Sequence, residues 1–248
     1  APPAHPLAPP DALPRPDPTT PAAVVMRPTL REQNDAAEAL GSEYRGRKCG
    51  VFGTYGAVSF SGNRIMNTSG GGALCCPDEE PRNRVKFYAT QARDQAPHYE
   101  HTRIGYNYRL SNVCAGIGRG QMLSLPTFLE KRRGIHEEYR RRLSGVPGLS
   151  LLENPDSRYH SNHWLTCVQV NPEEARFDWE TLRLALQKAG VESRPLWKPM
   201  HLQPVFRSCP FYGSGVSDRL FEQGLCLPSG ASLAGEDVDR IIDVLLNL

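Results

Sequence analysis

The sequence predicts an α/β fold. Three observations carry that expectation: short apolar runs between Gly-rich turns over residues 35–75, helical periodicity beyond Asn112, and a closing hundred residues in which strand-like and helix-like segments alternate. With 248 residues and 39% hydrophobic content, the chain can bury a core of ordinary size.

Residues 1–28 hold ten of the 22 prolines and no periodic apolar pattern, so burial there cannot offset the entropy of ordering the chain. A disordered or extended tail is expected over 1–28, with folded sequence from near Thr29. Because that pattern begins abruptly behind an initial Ala, an N-terminal truncation is also expected. Between Asp35 and Gly72, where Gly, Ser, Thr and Asn are dense, Ala57-Val58-Ser59-Phe60 reads as a strand; Gly72-Ala73-Leu74-Cys75 reads as another. Loops at such strand ends are where ligands are held. After Pro126, the residues Phe128, Leu129, Arg132, Ile135, Tyr139 and Leu143 recur at helical spacing until Gly145 and Pro147 stop the helix. A strand over 163–170 is broken by Asn171-Pro172. Asp178 then caps a helix with Leu182, Ala185, Leu186 and Ala189 on one face, ended by Gly190. A strand over 191–194 follows, then a short helix from about Ser217 to Gly224. The last helix buries Val238, Ile241, Ile242, Leu245 and Leu248. The sequence has no internal repeat.

Lys+Arg of 29 against Asp+Glu of 27 leaves a net charge of +2, which argues against nucleic acid or an anionic membrane as partner. No apolar run nears the ~20 residues of a membrane helix, and no secretory leader pattern opens the chain, so a cytoplasmic location is expected. Seven cysteines without a CxxC pair suit neither a disulfide framework nor a zinc site and read as buried thiols. The pairs His98/His101 and His160/His163 have suggestive spacing but no carboxylate or cysteine company, so no metal is expected.

Three stretches together resemble the DegT/DnrJ/StrS family of aminotransferases that use pyridoxal phosphate (PLP) on sugars. They are Asp35-Ala36-Ala37-Glu38-Ala39-Leu40-Gly41, then Ser59-Phe60-Ser61-Gly62-Asn63-Arg64 with Gly70-Gly71-Gly72, and Gly105-Tyr106-Asn107-Tyr108-Arg109-Leu110-Ser111-Asn112. Ser193-Arg194-Pro195-Leu196-Trp197-Lys198-Pro199-Met200-His201 and Gly224-Leu225-Cys226-Leu227-Pro228-Ser229-Gly230 are similar to the subgroup that aminates UDP-4-keto-6-deoxy-N-acetylhexosamines. The likeness runs from about residue 33 to the C-terminus. It implies the fold of PLP-dependent transferases of fold type I, with an incomplete PLP-binding large domain over 29–125 and a small C-terminal α/β domain over 126–248.

The resemblance also implies roles. Asp35 matches the aspartate opposite the pyridine nitrogen, where a buried carboxylate keeps the ring protonated and useful as an electron sink. Taken alone, Asp35 would read as the cap of a helix begun by Ala36-Ala37-Glu38-Ala39-Leu40. Ser59 matches the phosphate-binding serine, and Asn107 the asparagine that reaches the phosphate from the partner subunit of a homodimer; otherwise they are a strand hydroxyl and a turn residue. Glu38 falls near the cofactor ring, or on a solvated helix position. Arg194 and His201 lie in the segment lining the nucleotide-sugar pocket, where a guanidinium suits a diphosphate; the plainer alternatives are a surface arginine and a turn histidine.

At the residue five after Ser59 the family has the lysine that links to PLP, and here it is Arg64. That link needs a neutral amine, whereas guanidinium stays protonated and delocalises its lone pairs. Covalent PLP attachment is therefore not expected. Family members also carry over a hundred residues before the Asp35 motif, including the phosphate cup and the ring-stacking aromatic. The activity implied is transfer of an amino group from glutamate to a UDP-linked 4-keto sugar in glycan biosynthesis, impaired or absent in this chain as in a pseudoenzyme. The alternative is a non-catalytic remnant that binds nucleotide sugar or dimerises.

Overall fold

The computed structural model describes residues 33–248, and the expected tail over 1–28 lies outside the described residues. Its first elements are β1 (Gln33–Asp35), β2 (Glu43–Tyr44), β3 (Arg47–Lys48), β4 (Tyr55–Ser59), β5 (Gly72–Cys75), α1 (Glu79–Ala89) and α2 (Asn112–Leu143). There follow β6 (Leu149–Leu151), β7 (Tyr159–His160), β8 (Thr166–Val170), α3 (Pro172–Ala175), α4 (Trp179–Lys188), β9 (Arg194–Pro195), α5 (Val216–Gln223), β10 (Gly224–Leu227) and α6 (Gly235–Leu246).

Two sheets matter for function. In the first, of order β1-β4-β5, β1 runs parallel to β4 with Asp35 opposite Ala57, and β5 is antiparallel to β4 with Gly72 opposite Ser59. Gly56 permits this arrangement, since a Cβ there would sit 1.7 Å from the Gly50 carbonyl oxygen. The second sheet, β6-β8-β10-β9, is antiparallel throughout. Along β8, buried Thr166, Val168 and Val170 alternate with half-buried Cys167 and Gln169, the period-2 pattern of a strand with one face on the core. That face meets Tyr139 and Leu143 of α2, Leu182 and Leu186 of α4, and Ile241, Ile242 and Leu245 of α6. Each such side chain contributes on the order of 1.5–3 kcal/mol relative to exposure. A small third sheet, β3-β2-β7, joins residues 43–48 to residues 159–160.

Helix α2 begins at Ser111, whose hydroxyl accepts from the Cys114 N–H at 3.2 Å, and runs through Pro126 without a break. Residue 125, the boundary expected between two domains, falls inside it. Its second half buries Leu129, Arg132, Ile135, His136, Tyr139 and Leu143, while Val113 and Leu123 in its first half are 75% and 85% exposed.

Several expectations are corrected. Residues 36–40 form turns rather than a helix, and the Asp35 carboxylate accepts from the Ala37 N–H two residues on, a local turn that competes with helix. The 163–170 strand starts only at Thr166, because His163 adopts φ +44°, outside the β region. The strand over 191–194 shrinks to Arg194–Pro195. Leu248 is exposed beyond the end of α6. Of the thiols only Cys226 is buried; Cys75 and Cys209 are exposed. Among the described residues no helix is long and apolar enough to cross a membrane, and no three His, Cys, Asp or Glu side chains converge as a metal site.

Candidate functional site

Strands β1 and β4 are parallel, so Asp35 and Ser59 both lie at carboxyl ends of the same sheet edge, the position at which α/β sheets hold ligands. Asp35 is exposed. The Ser59 hydroxyl lies 3.0 Å from that of Ser61 and accepts from the Ser61 N–H at 3.3 Å, so two hydroxyls face one turn. The turn closes with the Arg64 N–H donating to the Ser61 carbonyl at 3.0 Å.

The Arg64 side chain, only 18% exposed, is fixed on three sides. One terminal nitrogen lies 3.0 Å from Glu38 Oε1, and the other donates to Asn63 Oδ1 at 3.0 Å. The guanidinium lies 4.8 Å from the centroid of the Trp164 ring, a cation–π contact. Its Nε–H is buried and has no hydrogen-bond partner among the described residues. Glu38, read as a cofactor-side or solvated residue, thus makes a third contact, an ion pair with the side chain at position 64.

Segment 161–164 holds these pieces together. Asn162, buried, donates from Nδ2 to the Glu38 and Leu40 carbonyls at 2.7 and 3.0 Å and accepts from the Trp164 N–H at 2.9 Å. Trp164 Nε1 donates to the Asn63 carbonyl at 2.5 Å. From α2, Arg132 donates to the Trp164 and Ser229 carbonyls at 2.6 and 3.0 Å, and Arg133 to the Ser161 carbonyl at 2.9 Å. Burial lowers the pKa of Arg132. Sequence reasoning missed Asn162 and Trp164 altogether. Their one legible signal was Arg132, a charge on the apolar stripe of a helix, which needs buried acceptors.

The ring of His163 stacks on His136 with centroids 3.6 Å apart. Burial, helped by the charges of His136, Arg133 and His160, lowers the His163 pKa to about 4. An unfolded histidine binds its proton near pH 6.5, so between about pH 6.5 and 4 the unfolded chain holds more protons than the folded one. Stability from this group is complete above pH 6.5 and is lost as pH falls toward 4. We expect the melting temperature to fall over that window. His163→Asn, which tolerates positive φ, should reduce the slope; an unchanged slope would exclude His163 as its source.

The remaining candidates lie elsewhere. Asn107 is exposed, and its Oδ1 accepts from the Arg109 backbone N–H at 3.3 Å and Nε at 3.4 Å; no hydrogen bond among the described residues joins it to Asp35, Ser59 or Arg64. Arg194 is engaged twice by Glu192 Oε1, at 2.9 and 2.6 Å, and lines a cavity of about 660 Å³ with Asn63, Trp164, Ser193 and Trp197. His201 faces a different cavity of about 410 Å³, held by Asp218 at 2.7 Å and stacked on Phe211 at 3.5 Å. The structure therefore brings Asp35, Glu38, Ser59 and Arg64 to neighbouring loops, sets Arg194 on a cavity that reaches Asn63, and leaves Asn107 and His201 apart.

Comparison with known proteins agrees with this architecture. The model of the DegT/DnrJ/EryC1/StrS aminotransferase family matches residues 29–246. EpsN of Bacillus subtilis, assigned by name to the pyridoxal phosphate-dependent aminotransferases, is 41% identical over 218 residues, covering 86% of this chain and 55% of EpsN. GDP-perosamine synthase of Escherichia coli O157:H7 is 31% identical over 209 residues, covering 84% of this chain and 56% of the synthase. The aminotransferase TlmJ of Streptoalloteichus hindustanus superposes with a TM-score of 0.77 at 29% identity, over 86% of this chain and 57% of TlmJ. The fold is that of PLP-dependent transferases of fold type I. The chain spans little more than half the length of the relatives it matches.

Proposed function

Because the chain belongs to the DegT/DnrJ/EryC1/StrS aminotransferase family, we propose that it is part of a PLP site for amino transfer to nucleotide sugars, with the covalent chemistry of that site lost. One observation carries the proposal: Arg64 occupies the loop that follows β4, beside Ser59, Ser61 and Glu38. The substrate class proposed is a UDP-linked 4-keto-6-deoxy-N-acetylhexosamine, with glutamate as amino donor and surface-glycan synthesis as setting. A cytoplasmic location belongs to the same proposal.

The donor set suits the cofactor except at position 64. Asp35 offers a carboxylate to a protonated ring nitrogen, and the Ser59 and Ser61 hydroxyls suit phosphate oxygens. When bound, PLP supplies an electron sink. Arg64 does not fit attachment, since its guanidinium is ion-paired to Glu38 and has no nucleophilic lone pair. Nor does Lys48 stand in, as it lies on β3 and pairs with Glu43. The chain's residues would thus hold and orient the cofactor without a group at position 64 able to move a proton.

We expect no amino sugar when the chain is mixed with PLP, glutamate and the 4-keto sugar nucleotide; turnover beyond one equivalent per chain would show that another group replaces the lysine. A homodimer is proposed as well. Its support is the exposure of Ile104, Tyr106 and Tyr108 around Asn107, the segment that the resemblance assigns to the partner, and of Val113 and Leu123 on the first half of α2.

A further inference from the structure

We propose that Arg64 makes this site a non-covalent receptor for a pyridine ring whose 4′ substituent accepts hydrogen bonds or carries negative charge, in preference to one carrying an amine. The inference rests on the PLP reading above and begins where attachment fails. The guanidinium is already organised, with Glu38 at 3.0 Å, Asn63 at 3.0 Å and the Trp164 ring against it. Trp164 is itself tied by its indole N–H to the Asn63 carbonyl and by its own carbonyl to Arg132, so the platform under Arg64 is fixed from two elements. Little side-chain entropy remains to be lost when a ligand arrives.

What this arrangement lacks is an acceptor. The Nε–H is buried without a partner among the described residues, and a buried donor left unpaired is unfavourable until something accepts from it. Glu38 gives a carboxylate oxygen to a terminal nitrogen and so does not serve Nε. An aldehyde oxygen accepts from it, and a carboxylate accepts with charge assistance. An ammonium offers only donors and meets a permanent cation that no accessible pH removes. A lysine at this position would condense with the aldehyde; an arginine selects by charge and hydrogen bonding instead.

Three probes share the ring and phosphate and differ at the 4′ substituent: 4-pyridoxic acid 5′-phosphate, a carboxylate; PLP, an aldehyde; and pyridoxamine 5′-phosphate, an ammonium. Each is titrated into the intact chain by equilibrium dialysis at neutral pH. The expected order is carboxylate, then aldehyde, then amine, with about 10- to 100-fold between first and last, the span of a charge-assisted hydrogen bond. Arg64→Met should compress that span to within about threefold, and Arg64→Gln, which keeps donors but no charge, should lower the carboxylate most. Both variants are compared by circular dichroism, and the Gln variant serves if the Met variant misfolds. Equal affinities for the three probes, or tightest binding of the amine through Glu38, would overturn the inference and leave the PLP reading in place. If none of the three binds, both fall.

Discussion

Replacing Asn162 by alanine should destabilise the chain by roughly 2–4 kcal/mol, because the side chain serves three buried or half-buried backbone groups and alanine serves none. The Glu38 and Leu40 carbonyls lose their donor, and the Trp164 N–H loses its acceptor. For a chain of this size such a loss lowers the melting temperature by about 5–15 °C. The effect should reach the site as well, since Glu38 and Trp164 are the two groups that flank the Arg64 guanidinium. Indole emission should therefore shift even where the variant is still folded. Urea unfolding measures the stability. A change below about 1 kcal/mol, or one that leaves the emission untouched, would mean that water replaces the amide and that segment 161–164 does not position residue 64.

How much of this was legible in the sequence depended on whether a residue's partners were local. Helix α4 was readable because Asp178 caps it through the Thr181 N–H at 2.8 Å and Leu182 and Leu186 repeat on one face. Helix α6 was readable from its apolar face alone, Val238, Ile241, Ile242 and Leu245, apart from Leu248, which lies past its end. Helix α1 went unseen because it buries no residue, although Asp78 as its cap and Glu79 and Glu80 in its first turn were present to be read. The Ala36–Leu40 run looked helical by composition, yet the Glu38 and Leu40 carbonyls accept hydrogen bonds from Asn162, more than 120 positions away. No window of sequence contains that contact. Position 64 was singled out by the family resemblance around Ser59, but its environment was not, since Trp164 lies 100 residues later and Glu38 26 residues earlier.

In the reading proposed above, Arg64 puts a cation where covalent cofactor attachment would require an amine. Reduction with borohydride tests it directly. The chain is incubated with a slight excess of PLP, reduced, digested and mapped by mass spectrometry, with the absorbance near 400–430 nm recorded before reduction on the order expected for lysine-linked PLP. We expect no new visible band and no stoichiometric adduct on Lys48, Lys86, Lys131, Lys188 or Lys198, with only weak, dispersed labelling of exposed amines. A single lysine carrying one reduced PLP per chain, with the visible band to match, would overturn the proposal and would mean that one of these amines serves as the attachment point.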